Sequence, residues 1–287
     1  MIKPQLCKLL VKPFNAEHWL WERKYDGFRA VVDVQPTYYT IQARSGTYKT
    51  EHFPELKFAI KGPVLVDGEI ISANGLSFQE GIQPRVNRLK DQASMALELP
   101  ACYMVFDILR AGDRDLLKAP LEERRAILEQ ALVPTHNVKV AEQYPDGVAL
   151  FERAKAEGWE GVVGKNMHAG YCEGKRNWIK VKCWQEGHYH VAGFTEGTGK
   201  REPYFGALLL ADCDGNMVGE VGTGFTDATL AQLKAELDKL VWAGADKVNG
   251  VYTTYLNSGD YFEVRIKYLE VTNAGQLRFP VYLGKAK

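Results

Sequence analysis

Apolar residues recur along the chain in short runs that alternate with polar ones. Residues 30–34, 38–43, 64–72, 102–109, 161–165 and 178–182 are rich in Val, Ile, Tyr and Phe, and Gly, Pro, Asn or Asp bounds them. Such residues suit a pleated, half-buried surface, so each run predicts a strand. Two stretches carry a helical spacing instead. One is 121–132, with Leu121, Ile127, Leu128, Ala131 and Leu132 set among charges; the other is 147–157, with Val148, Leu150, Phe151 and Ala154. Near Cys183-Trp184-Gln185-Glu186-Gly187 the character changes to short strands with glycine-rich turns, at 188–195, 206–211 and 218–222. A helix follows over 227–240, capped by Thr226 or Asp227, and further strands at 261–268 and 275–282. Five strands and one helix in roughly 100 residues suit a small Greek-key barrel of the OB type. The expected fold class is α+β, with one domain over 1–184 and a barrel over 188–287.

Composition narrows the possibilities. The 287 residues are 46% apolar and 25% charged, as in a folded globular protein. No run approaches the roughly 20 apolar residues that span a bilayer, and the first eight residues are too polar for a secretory signal. The expected location is cytoplasmic. The cysteines, Cys7, Cys102, Cys172, Cys183 and Cys213, form no C-x-x-C pair, which argues against zinc and disulfides. The histidines show no metal or triad spacing. The net charge is zero, yet basic residues cluster: Arg85, Arg88 and Lys90; Lys175, Arg176, Lys180 and Lys182; Lys200 and Arg201. Each cluster alone reads as a solvated face.

The stretch Trp21-Glu-Arg-Lys24-Tyr-Asp-Gly-Phe-Arg29 raises the chemical question. Asp-Gly suits a turn, but a turn does not explain the lysine. A lysine is nucleophilic only when neutral, and its free pKa of about 10.4 keeps it charged at pH 7. Burial or nearby cations would depress that value. Lys180 and Lys182 alternate onto one face of a strand and could supply the charge. Glu69, in Val66-Asp-Gly-Glu69-Ile70, and Glu160, in Trp159-Glu160-Gly-Val-Val-Gly-Lys165, could hold Mg²⁺, which favours carboxylates with phosphate oxygens. Taken singly, each of these residues reads as ordinary surface or core.

Their joint order resembles a known superfamily. Lys24-Tyr-Asp-Gly-Phe-Arg29 resembles the K-x-D-G-x-R element of covalent nucleotidyltransferases. Ala43-Arg44-Ser-Gly46, Val66-Asp-Gly-Glu69 and Tyr103-Met-Val-Phe106-Asp107 are similar to the next three elements. Glu160 to Lys165 and Trp178-Ile-Lys180-Val-Lys182 resemble the last two. Within the superfamily the chain most resembles ATP-dependent DNA ligases, through Arg29, the segment from Phe78-Gln79 to Arg85, and Leu277-Arg278-Phe279-Pro280.

The resemblance implies that Lys24 attacks the α-phosphorus of ATP, that AMP passes to a 5′-phosphate at a nick, and that the 3′-hydroxyl then seals the strand. It implies Lys180 and Lys182 near the α-phosphate, depressing the Lys24 pKa. It makes Glu69 and Glu160 ribose and Mg²⁺ contacts, with Mn²⁺ as an alternative ion. Phe106 would stack on adenine, Lys165 would reach the nucleotide, and Glu22 would lie where adenine is read. Arg29 and Arg44 would contact ribose or the 5′-phosphate. Expected DNA contacts are Arg29, Arg44, Arg85, Arg88, Lys90, Lys175, Arg176, Lys200, Arg201 and Arg278. The expected partner is nicked duplex DNA, bound by a monomer, with no membrane and no protein partner implied.

Two features depart from the resemblance. Val281 stands where an arginine is common, so Lys285 and Lys287 are candidates to replace missing basic residues. The chain is also short, which predicts a minimal two-domain enzyme without a separate DNA-binding domain or a clamp inserted in the barrel. An RNA ligase or a capping guanylyltransferase of the same superfamily is an alternative, as is a non-catalytic DNA-binding protein. An NAD-dependent ligase is disfavoured by the missing nicotinamide module and zinc cysteines.

Overall fold

Strands that alternate apolar side chains on both faces must be covered on both faces, and the first half of the chain is built that way. In the computed structural model, which describes residues 2–240, 242–248 and 250–286, this half holds nine main strands. They are β1 (Cys7–Leu9), β2 (Trp19–Arg23), β3 (Phe28–Val34), β4 (Tyr39–Ala43), β5 (Val64–Ser72), β6 (Ala101–Ala111), β7 (Val138–Val140), β8 (Gly161–Asn166) and β9 (Trp178–Lys182). One sheet runs β7-β6-β5-β3-β4 and the other β1-β9-β8-β2. Pairing is antiparallel except at β7 with β6 and β1 with β9.

The alternation along β3 shows how the layers form. Val32 and Val34 enter one core with Ile41, Val66, Ile70 and Ile108, under Leu128 of α1 (Leu121–Ala131). Val31, between them, turns to the other face and packs with Phe106 and Leu109 of β6 and Trp178 of β9. That second cluster lies between the two sheets. A third joins Trp21, Val162 and Val181 of the second sheet to Leu150, Phe151 and Ala154 of α2 (Gly147–Ala156). Full burial of each such side chain contributes about 1.5–3 kcal/mol. Asp146 caps α2 by accepting the Ala149 N–H at 2.9 Å. Gly27 opens β3 because β5 runs so close: a β-carbon there would lie 2.3 Å from the Ile70 carbonyl oxygen.

The second compact unit spans Trp184–Lys287, beside a first of Met1–Cys183. It contains β10 (Gln185–Thr195), β11 (Leu208–Ala211), β12 (Met217–Val221), α3 (Asp227–Leu237), β13 (Trp242–Val248), β14 (Val251–Leu256), β15 (Phe262–Tyr268) and β16 (Val281–Lys285). The long β10 pairs with β15 through its first half and with β14 through its second, on either side of a bulge at Val191–Gly193. Gly193 permits the close approach, since a β-carbon would meet the Thr254 carbonyl oxygen at 2.4 Å. Tyr282 of β16 donates its N–H to the Thr223 carbonyl at 2.9 Å, which curls the sheet back on itself. Leu230, Leu233 and Leu237 of α3 fill its interior, and Thr226 caps the helix by accepting the Thr229 N–H at 3.1 Å.

Three details differ from the sequence reading. The hairpin of β13 and β14 was not expected, because every residue of β13 is exposed and carries no alternation. The strand expected at 275–282 breaks into Leu277–Arg278 and β16, since Phe279 takes a left-handed φ of 53° and Pro280 has no N–H for a ladder. The helix expected to reach 240 ends at Leu237. Lys285 is held by Glu236 at 2.7 Å, and Lys287 lies outside the described residues.

Arg85, expected to contact DNA, is fully buried. Its guanidinium forks onto Glu55, bonds the His52 and Leu99 carbonyls and lies 4.8 Å from the Phe53 ring. A guanidinium so enclosed docks the segment after Phe78 onto the core and leaves nothing for a phosphate. Arg85→Ala should therefore destabilise the chain by about 3–5 kcal/mol in urea unfolding, because it strands the partly buried Glu55. The exposed Arg88, paired with Asp91 three residues away, should change stability by under about 0.5 kcal/mol on the same substitution. Equal losses from the two would refute this division.

Candidate active site

The turn from Lys24 to Gly27 joins the second sheet to the first, so it lies at the mouth of the gap between them. The Lys24 N–H donates to the Gly161 carbonyl at 2.9 Å and fixes where its side chain starts. Asp26 accepts the Phe78 N–H at 3.0 Å and ties the turn to the capped segment that begins at Ser77. Lys24 Nζ donates to one oxygen of Glu160, and Lys182 Nζ lies 3.2 Å from the other. The carboxylate of Glu160 is thus shared by two lysines.

Burial is the largest single influence on Lys24 and favours the neutral amine, but attraction to Glu160 and Glu69 and the Glu160 hydrogen bond outweigh it. The net shift is upward. Depression of Lys24 by Lys180 and Lys182 is therefore not found: Lys182 spends its charge on Glu160. It is Lys180 whose pKa falls, through burial first and then the charges of Lys24 and Lys182. Glu69 is pushed up to about 8, chiefly by burial and further by Glu160 and Asp67, against the pull of Lys24 and Arg29.

A cavity of about 200 Å³ opens beside Lys24 and brings together Glu22, Arg29, Arg44, Glu69, Phe106, Lys165 and Lys180, with Arg176 and Trp178. Its floor is a buried ion pair. Glu22 meets Lys165 at 2.6 Å and takes a hydrogen bond from Gln143 at 2.9 Å, and both charged residues are at most 2% exposed. Lys165 Nζ lies 4.4 Å and 4.3 Å from the Phe106 and Trp178 ring centres. The lysine expected to reach nucleotide is, in this state, held by Glu22. Phe106 meets Trp178 edge-on at 5.7 Å. Next to it on β6, Asp107 grips Arg124 of α1 through two hydrogen bonds of 2.7 and 2.8 Å, which locks the strand.

Arg29 is also more committed than its motif suggests. It forks onto Asp67 at 2.7 and 3.1 Å and donates to the Gln5 carbonyl at 2.6 Å. Tyr171 donates to the same Asp67 at 2.6 Å and accepts the Gln5 N–H at 2.9 Å. Sequence reasoning missed Gln5, Asp26 and Tyr171 as site residues. Asp26 and Asp67 stood in quoted Asp-Gly elements, but Gln5 and Tyr171 carry no local signal. Arg44, by contrast, is exposed at the cavity.

The remaining basic residues divide. Arg88, Lys90, Lys175, Arg176 and Lys200 are exposed. Arg176 also bonds the Cys7 carbonyl at 3.2 Å. Two expected DNA contacts are spent elsewhere. Arg201 staples the Gly206 and Gly222 carbonyls at 2.8 and 2.7 Å, and Arg278 is 5% exposed and meets Glu270 at 2.7 Å. Arg278 is thereby closed off from an open phosphate-binding surface, whereas Arg201 is half-buried with one nitrogen engaged. Among the described residues no cluster of three or more His, Cys, Asp or Glu could hold a metal, and no helix is long and apolar enough to cross a membrane.

A lysine at the entrance of an inter-sheet cavity, with two carboxylates and several cations, is the arrangement that the comparisons decide. The model of the ATP dependent DNA ligase domain matches residues 4–182, and that of the ATP dependent DNA ligase C terminal region matches 201–286. The chain belongs to the ATP-dependent DNA ligase family. It is 32% identical to the multifunctional non-homologous end joining protein LigD of Mycolicibacterium smegmatis, over 96% of this chain and 37% of that protein. It is 31% identical to DNA ligase C1 of the same organism, over 83% of this chain and 73% of the relative. The chain therefore spans little more than a third of the LigD protein. Among solved structures, a mycobacterial DNA ligase D complexed with ATP and MES is 26% identical with a TM-score of 0.56, covering 99% of this chain and 95% of that one. A Lig E DNA ligase, 19% identical with a TM-score of 0.66, shares the fold over all of both chains. The α+β architecture, a nucleotidyltransferase unit followed by an OB-fold unit, is that of these neighbours.

The electrostatics give two expected outcomes. Titration of Lys24 reactivity with a small amine-reactive probe, without nucleotide or metal, should give a midpoint above about 10.4, and Glu160→Gln should move it down. A midpoint that stays put would disprove the hold of Glu160. For Glu69, the folded carboxyl binds its proton more tightly than the unfolded one, so its contribution to stability is complete below about pH 4.3. That contribution is lost as pH rises to about 8. Glu69→Gln should match the native chain near pH 4 and gain stability relative to it towards pH 8, read from urea midpoints across pH. A constant difference would contradict the shift.

Proposed function

We propose that the chain seals 5′-phosphate/3′-hydroxyl nicks in duplex DNA, using ATP and a lysyl-AMP intermediate on Lys24. The observation that carries this reading is the placement of Lys24: half-buried, at the mouth of the inter-sheet cavity, and bonded to Glu160. In the first step the Lys24 nitrogen bonds to the α-phosphorus while the bond to the β-phosphate oxygen breaks and pyrophosphate leaves with the electron pair. Lys24 must first shed a proton. Whatever draws Glu160 away leaves burial as the dominant influence, and burial favours the neutral amine. A DNA 5′-phosphate oxygen then displaces Lys24 from the α-phosphorus. Finally the 3′-hydroxyl attacks the 5′-phosphorus and AMP departs.

The residues around the cavity suit these steps. Phe106 offers an aromatic surface for adenine, above the floor of Glu22 and Lys165. Lys180 and Lys182 lie where charge on the α-phosphate would need neutralising. Arg44 and Arg176, open at the cavity, suit the 5′-phosphate, whereas Arg29 supports the wall through Asp67. Glu69 and Glu160 fit Mg²⁺ or Mn²⁺: two carboxylates with substrate phosphates are a typical set, and their mutual repulsion, part of what raises Glu69, is what a dication relieves. When bound, the ion would supply positive charge to the phosphates. Residues 1–184 would form the adenylation domain and 188–287 the OB-fold domain, acting as a cytoplasmic monomer. Arg88, Lys90, Lys175 and Lys200 are the remaining candidates for backbone phosphates.

A labelled nicked duplex with Mg²⁺ and either ATP or NAD tests the proposal. Sealing is expected with ATP alone. Lys24→Ala should lose self-adenylation and sealing by at least about a thousandfold while still binding the nick. Sealing by that variant, or none by the native chain with either nucleotide, would overturn it.

A further inference from the structure

A second cleft, of about 430 Å³, adjoins the first, and the two share Arg23 and Tyr25. It runs on past Lys139, Tyr144, Arg153 and Trp159. Arg23 is the last residue of β2, next to Lys24, and strand alternation turns neighbouring side chains to opposite sides. Its guanidinium carbon lies 4.6 Å from the Trp159 ring centre and 5.5 Å from that of Tyr25.

The charges here are unbalanced. Arg153 takes Glu157 at 2.6 Å, and Glu142 accepts the Tyr144 hydroxyl, so both carboxylates are occupied. Arg23 and Lys139 form no ion pair among the described residues. Burial is the largest influence on Arg23 and lowers its pKa, and the charge of Arg153 adds to this against Tyr25 and Glu157. Arg23 itself is exposed, so its guanidinium lies against the rings, open to the cleft, and gains no carboxylate ion pair among the described residues. An anion with several oxygens would satisfy it, and phosphate matches its planar fork.

We propose that this cleft is a phosphate subsite, anchored by Arg23 with Lys139 at its edge, for a phosphate of the substrate that reacts at Lys24. The inference rests on the nucleotidyl-transfer reading above. Two phosphates could occupy it: the pyrophosphate portion of ATP, or a backbone phosphate of the DNA.

Arg23→Gln and Arg23→Lys in the full chain decide between these. Two binding measurements need no catalysis: calorimetric titration with inorganic pyrophosphate, and nicked-duplex affinity over a range of salt. A pyrophosphate subsite predicts that Arg23→Gln weakens pyrophosphate binding by about tenfold and leaves the nick unaffected. A DNA subsite predicts weaker nick binding with a salt slope reduced by about one, and unchanged pyrophosphate binding. In either case Arg23→Lys should retain most of the affinity, since it keeps the charge. The proposal fails if both variants bind both ligands like the native chain. It also fails if both lose affinity equally along with melting temperature, for then Arg23 only packs on Trp159. Failure of the ligase reading would show instead as native chain that takes no label from ATP.

Discussion

The Glu160 carboxylate, held between Lys24 and Lys182, is the interaction on which the site depends. Without it, Lys24 at its partly buried turn and Lys182 at the end of β9 would both lose the carboxylate that they share. With it, Lys24 is docked in position but protonated. On the proposed mechanism the pair is a resting state: it orders the nucleophile while withholding its lone pair. Competition for Glu160 by a metal ion or for Lys182 by phosphate would undo both effects at once. On this view, arrival of the substrate and activation of Lys24 are one electrostatic event.

The rest of the first unit keeps that arrangement rigid. The Arg29–Asp67–Tyr171–Gln5 chain of hydrogen bonds crosses the gap between the sheets and holds the N-terminal segment as a wall of the cavity. Such a buried network is stable only when each member is satisfied, and each of these has a partner at 2.6 to 2.9 Å. The Asp107–Arg124 pair plays a similar part behind Phe106. Most of the enclosed charge near the cavity thus goes to holding walls in place.

Much of this was legible in the sequence, for identifiable reasons. The strands of both sheets were visible because Val31 and Val32 alternate between two cores, which forces a dense run of β-branched residues. The cavity residues were visible because short elements place them on adjoining strands in a fixed order. The hairpin of β13 and β14 was not, since a strand exposed along its length is under no pressure to alternate. Tyr171 and Gln5 were invisible for another reason. Their partners lie 104 and 166 residues away along the chain, and no local pattern encodes such a contact.

The basic residues show the limit of reading charge from sequence. Arg85 and Arg176 look alike as letters in a cluster, yet one is sealed against Phe53 and Glu55 and the other is open at the cavity. On the proposed function the roles divide along that line, because a guanidinium already satisfied by a carboxylate gains little from a phosphate. Arg85 and Arg278 are buried beside their carboxylates, whereas Arg44, Arg176, Lys180 and Arg23 line the cavity. Arg23, Arg29, Arg44, Lys165, Arg176 and Lys180 all line the cavity beside Lys24. A chain with no net charge can still present a strongly positive site, because its acids are spent on the cations that hold the fold together.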